Sequence, residues 1–104
     1  MIDAYGPANG RASSSDHSRV IRAGYGADRI YSEWAAGSLD DWEALARACG
    51  EPLLTRTSAL FLGPADHDYI RTTFQTLKSL GRRVDWIEPR DLQSRFSEVA
   101  TEGL

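Results

Sequence analysis

The sequence predicts an α/β (α+β) chain, and three observations carry that expectation. Apolar residues recur at helical spacing over 32–49, a β-branched and apolar run fills 53–62, and a second helix-then-strand pair follows at 66–80 and "RVDWIEP". The elements are expected in the order loop, helix, strand, helix, strand, helix.

Residues 5–18 are dominated by Gly, Pro, Asn, Ser, Asp and His, a composition that favours turns over periodic structure. Arg19 to Arg22 enclose Val20 and Ile21, which suit either an extended segment or a short helical turn. From Ser32 to Cys49, the residues Trp34, Ala35, Leu39, Trp42, Leu45, Ala46 and Cys49 return every three or four positions, and Gly50 supplies a stop. The strand-like run Leu53–Leu62 closes at Gly63-Pro64. Tyr69, Ile70, Thr73, Phe74, Leu77 and Leu80 give the second helix its face, with Asp66 or Asp68 as N-cap and Gly81 as stop. Pro89 suits the first turn of a last helix, "PRDLQSRF". Trp34, Trp42, Phe74 and Trp86 are spaced as core residues.

At 104 residues with 41% hydrophobic content the chain is expected to hold one small core at most. Two strands and one crossover helix are less sheet than independent stability requires, so the chain is expected to be a segment of a larger protein. Its 12 basic and 15 acidic residues give a net charge of −3 without charge blocks, which argues against a nucleic-acid or membrane surface. Cys49 is the single cysteine, so an internal disulfide is excluded and a reducing compartment fits; it is expected as a buried thiol at a helix end. With neither a signal peptide nor a long apolar run in view, a soluble, cytoplasmic location is expected.

The chemistry concentrates in "SSSDHSRVIRAGYG", residues 13–26. Two guanidinium groups three residues apart share a face if the backbone turns helically, and their repulsion is offset when anions are near. The plain alternative pairs Arg19 and Arg22 with Asp16 and Asp28 at the surface. Asp66, His67 and Asp68 are adjacent at a helix start, where they point apart and supply too few ligands for a metal, so no metal site is expected.

The run "IDAYGPANGRASSSDHSRVIRAGYG" is similar to the N-terminal region of FAD-dependent amine and amino-acid oxidases of the D-amino-acid oxidase superfamily, most closely the sarcosine oxidase-like branch. In that branch a strand ends in an acidic residue, a loop of type GSSHGxxRxIR follows, then an aromatic and a helix bearing tryptophan. Asp3, Ser13 to Arg22, Tyr25, Tyr31 and Trp42 fall in that order here. "TRTSALFLGP" resembles the family's TGxLxxGP strand, and "RVDWIEPRDLQSRF" its next strand and helix. The family's G-x-G-x-x-G turn does not occur, and by the family's layout it is expected upstream of Met1. Its flavin-attachment cysteine and oxygen-activating lysine are not matched either; Cys49 has another context.

The resemblance implies a partial FAD-binding Rossmann-like domain plus the first elements of a substrate domain. Residues 1–50 would be part of the FAD-binding domain and 51–104 the start of the substrate-domain sheet and helices. It further implies a ribose contact for Asp3 and flavin contacts for Ser13, Ser14 and Ser18. Arg19 would sit over the flavin ring, and Arg22 would pair with a substrate carboxylate. Where the branch has a histidine four residues before its first arginine, this chain has Ser15, with His17 two before, a departure that leaves the substrate type open. The function implied is part of an oxidoreductase that oxidises a CH–NH bond of a small amine or amino acid and is inactive by itself. The rival expectation is a stand-alone α/β interaction module, self-associating through exposed apolar helix faces.

Overall fold

A computed structural model of the chain describes residues 4–6, 9–12, 15–64 and 66–101. Among them are three helices: α1 (Arg29–Cys49), α2 (Asp68–Ser79) and α3 (Pro89–Arg95). Each coincides with a helix the sequence predicts. Helix α1 starts three residues before Ser32 because Asp28 caps it, its carboxylate accepting from the Tyr31 N–H at 3.5 Å. It stops where Gly50 turns left-handed at φ 69°, and the Glu51 N–H reaches back to the Ala46 carbonyl at 3.3 Å. Helix α2 has His67 rather than an aspartate at its N-cap, with no side-chain bond, while Asp68 lies in the first turn. Its end repeats the device of α1: Gly81 at φ 66° lets the Arg82 N–H donate to the Leu77 carbonyl at 3.0 Å.

The α/β expectation is overturned. Among the described residues there is no strand and no sheet, so the Rossmann-like reading of the fold fails with it. Residues 53–62 and 83–88 carry the side-chain pattern of strands, but among the described residues no ladder of backbone hydrogen bonds joins them to each other or to another segment; Leu53 N–H bonds locally to Glu51. A strand is defined by its partner, and a partner is a non-local fact that composition and alternation do not encode.

The consequence is a loose molecule. Its surface of 8504 Å² exceeds the roughly 5800 Å² expected of a compact protein of this mass. Its radius of gyration of 17.0 Å likewise exceeds the roughly 13 Å of a compact domain. Among the described residues only Ala36 and Leu92 are buried apolar side chains. The tryptophans assigned to the core are not in it: Trp34 is 68% exposed, Trp42 41% and Trp86 40%. Phe74 is half-buried, edge-on to Trp86 with ring centroids 5.6 Å apart. Helix α1 touches α2, yet the residues α1 buries are the small ones, Ser32 and Ala36, while its larger apolar residues Trp34, Trp42 and Leu45 stay outside. Cys49 is exposed at the end of α1, not buried as expected, because nothing packs over the last turn of a helix in so open a structure.

Candidate functional site

The site begins at residues 21–26, where two glycines let the chain lie against α2. An ideal Cβ built on Gly24 would come within 2.9 Å of both Phe61 and Thr73, so only glycine fits this approach. Gly26 sits at φ 61°, and a Cβ there would meet the Tyr69 ring at 2.9 Å. Two hydrogen bonds then fix the segment: the Gly26 N–H donates to Thr73 Oγ1 at 3.0 Å, and the Tyr69 hydroxyl donates to the Gly24 carbonyl at 3.1 Å. Thr73 Oγ1 itself donates to the Tyr69 carbonyl at 2.7 Å, one turn back in α2. Thr73 and Gly26 are both buried, so this is a satisfied polar contact in one of the few dry places of the molecule.

From this anchor the chain turns into α1, with the Asp28 N–H donating to the Tyr25 carbonyl at 3.0 Å. Ile21, Tyr25 and the α1 residues Tyr31, Trp34, Ala35, Ser38 and Trp42 enclose a cleft of about 300 Å³. The rings are mutually arranged: Tyr25 and Tyr31 lie 6.0 Å apart, and Tyr31 meets Trp34 edge-on at 6.2 Å. The Arg22 guanidinium lies 5.5 Å from the ring centroid of Tyr25, which lines the cleft, a cation–π contact that orients the group without neutralising it. Arg22 therefore keeps a formal positive charge beside an aromatic cleft, an arrangement suited to a small ligand carrying a carboxylate.

Arg19 is held differently. Its guanidinium donates to the Ser15 carbonyl and pairs with Asp16 at 3.5 Å, and both side chains are largely exposed. The surface pairing of Arg19 with Asp16 is thus realised, whereas Asp28 caps α1 instead of pairing with Arg22. Residues 15–25 are not helical, so the two arginines do not share a helix face. Ser18 is exposed. Asp3, Ser13 and Ser14 lie outside the described residues. His17 is exposed, and its backbone N–H bonds to the Asp16 carboxylate at 2.8 Å. No group of three or more His, Cys, Asp or Glu side chains among the described residues is disposed to hold a metal, and no helix among them is long and apolar enough to cross a membrane.

Thr73 and Tyr69, the residues that hold Gly24 and Gly26 in place, carry no such signal in the sequence. They stand 43 or more positions from the segment they fix, and their local signal is only that of a helix face. The cleft aromatics did leave a signal: Tyr31 and Trp34 are three apart on a helix, the spacing of neighbours on one face.

The chain is similar over nearly its whole length to sarcosine oxidase-like oxidases, the class to which the loop and its arginines pointed. Its relatives include monomeric sarcosine oxidase from Bacillus sp. (strain B-0618), 27% identical over 100 residues, and that from Arthrobacter sp. (strain TE1826), 25% identical over the same length. N-methyl-L-tryptophan oxidase from Citrobacter koseri is 24% identical over 99 residues. Each match covers 95% of this chain but only 26% or 27% of the relative, so the chain spans about a quarter of the length of the curated relatives it matches. No family model and no solved structure matches the chain.

Proposed function

We propose that this chain contributes the cofactor-loop and substrate-arginine portion of a FAD-dependent oxidase that oxidises the CH–NH bond of a small amine or amino acid, and that it has no turnover by itself. The observation that carries the reading is Arg22: a charged guanidinium over Tyr25, a lining residue of an aromatic cleft, on a segment pinned to α2, in a chain similar over 95% of its length to sarcosine and N-methyl-L-tryptophan oxidases. In this reading Arg22 donates two N–H bonds to the substrate carboxylate and sets the orientation of the carbon bearing the amine.

The donor set of the preceding loop fits an anionic dinucleotide. Arg19 is a permanent cation and Ser18 an exposed hydroxyl, so both offer donors to phosphate or ring oxygens. Within the proposal Asp3 binds the ribose, Ser13, Ser14 and Ser18 bind the flavin, and Arg19 adds a fixed positive charge beside the ring system. Flavin, when bound, supplies the hydride acceptor. Residues 1–50 serve the cofactor side and 51–104 the substrate side. The interaction-module alternative finds no supporting observation.

The test is a chimera in which this chain replaces the aligned quarter of the Bacillus monomeric sarcosine oxidase. The proposal expects the purified chimera to retain flavin and to oxidise a secondary amine or amino acid, while the 104-residue chain with added FAD and the same substrates yields no peroxide. A folded chimera that carries no flavin, or peroxide production by the chain without the remaining sequence, contradicts it.

A further inference from the structure

Two stretches with the side-chain pattern of strands lie unpaired in the molecule, and one carboxylate meets them both. Asp40, midway along α1, pairs with Arg56 of residues 53–62 at 3.5 Å and with Arg82, at the entry to 83–88, at 3.8 Å. Arg56 also bonds to Glu43, on the next turn of the helix. Among the described residues the N–H groups of 54–62 and 83–87 donate no backbone hydrogen bond. Leu53, Leu60, Leu62 and Trp86 are all exposed. An extended, apolar and unpaired run of this kind is a template for a further strand.

Helix α1 leaves a second surface open. With about 100° of turn per residue, Tyr31, Trp34, Trp42 and Leu45 form one apolar stripe, while Asp40 and Glu43 point roughly the opposite way. All four stripe residues are exposed. A second copy of the chain pairing with the strand-patterned side would leave the stripe in water, so covering both takes a larger polypeptide that surrounds the helix. The extent of bare surface agrees: it exceeds that of a compact protein of this mass by about 2700 Å², whereas an ordinary interface takes about 800 Å² from each partner. The relatives are long enough to supply such a partner, since this chain matches only 26% or 27% of their length.

We infer that residues 53–62, residues 83–88 and the α1 stripe form a single interface, and that its occupant is the three quarters of the oxidase that this chain does not match. That polypeptide adds strands to the first two and an apolar face to the third. The choice of occupant rests on the oxidase reading; the surface itself does not.

The test co-expresses the tagged 104-residue chain with the unmatched three quarters of the Bacillus monomeric sarcosine oxidase as a separate polypeptide. A one-to-one complex is expected to persist through size-exclusion chromatography, with exchange of the 54–62 and 83–87 amides slowed about tenfold or more relative to the free chain. Thr57→Pro removes a strand donor from an exposed run, and Trp42→Glu puts a charge into the stripe. Each is expected to weaken the complex about tenfold or more while the free chain keeps its helical circular dichroism. A free chain that dimerises with the same amides protected, no complex, a complex whose 54–62 and 83–87 amides exchange as fast as in the free chain, or a complex indifferent to both variants would each overturn the inference. The oxidase reading fails separately. A covalent chimera that turns over while the two separate chains do not associate overturns only this inference, and a protected two-chain complex without flavin overturns only that reading.

Discussion

The two arginines sit three residues apart and yet in opposite mechanical settings. Arg22 belongs to a segment pinned by hydrogen bonds to residues 45 and 47 positions away, through buried Thr73 and half-exposed Tyr69. Arg19 is bonded locally, to the Ser15 carbonyl and to Asp16, at most four positions distant. The difference teaches where a ligand would find order already made. A group on the Arg22 side meets a backbone held by long-range bonds at Gly24 and Gly26, whereas a group on the Arg19 side meets a guanidinium already bonded to Ser15 and Asp16.

That comparison can be broken most forcefully at the glycines. Gly26→Val forces a β-branched residue into φ 61° and into the Tyr69 ring, and is expected to cost about 2–4 kcal/mol, read as a lower denaturant midpoint. Thr73→Val comes next: it keeps the shape but strips the partner from the buried Gly26 N–H, an expected loss of about 1–3 kcal/mol in the same measurement. If Thr73→Val leaves the midpoint unchanged, the pinning is not energetic and the contrast with Arg19 collapses. Arg19→Ala should move stability by less than about 0.5 kcal/mol, since its pair is exposed.

The smallest effect concerns the tether between residues 53–62 and α1. Arg56 bonds to Glu43 and pairs with Asp40 at 3.5 Å. The hydrogen bond from Arg56 holds the Glu43 carboxyl below its ordinary value, and the same bond to Glu43 raises Arg56. A carboxylate with a lowered folded-state pKa lends stability above its unfolded value, and loses it as pH falls through the folded one. The tether should therefore hold at neutral pH and release below the ordinary glutamate range, a change expected to vanish in Arg56→Met. Hydrogen exchange of the 53–62 amides between neutral and acid pH reads it.

How much of this was legible in the sequence follows from how far each cause acts along the chain. Helices α1, α2 and α3 were readable because their signals are local: three- and four-residue spacing, Gly50 and Gly81 as stops, Pro89 at a first turn. Residues 53–62 and 83–88 misled because alternation describes a strand's faces but not its partner, and among the described residues no partner pairs with them. The burial of Trp34, Trp42 and Cys49 misled for a related reason, since spacing names a face and not what covers it. At the site, Arg19 and Arg22 were conspicuous by type and offset. Their unequal anchoring was not, because Thr73 and Tyr69 act across more than forty residues.

The central claim is that Arg22 receives a substrate carboxylate. In the chimera with the Bacillus relative, the most direct measurement is steady-state kinetics of Arg22→Ala and Arg22→Lys with a substrate and with its analogue lacking the carboxylate. The account predicts that Arg22→Ala loses about 10²-fold or more in kcat/KM for the carboxylate substrate, that Arg22→Lys recovers part of it, and that the analogue is nearly indifferent to both. Equal losses for substrate and analogue, with flavin retained, would contradict it.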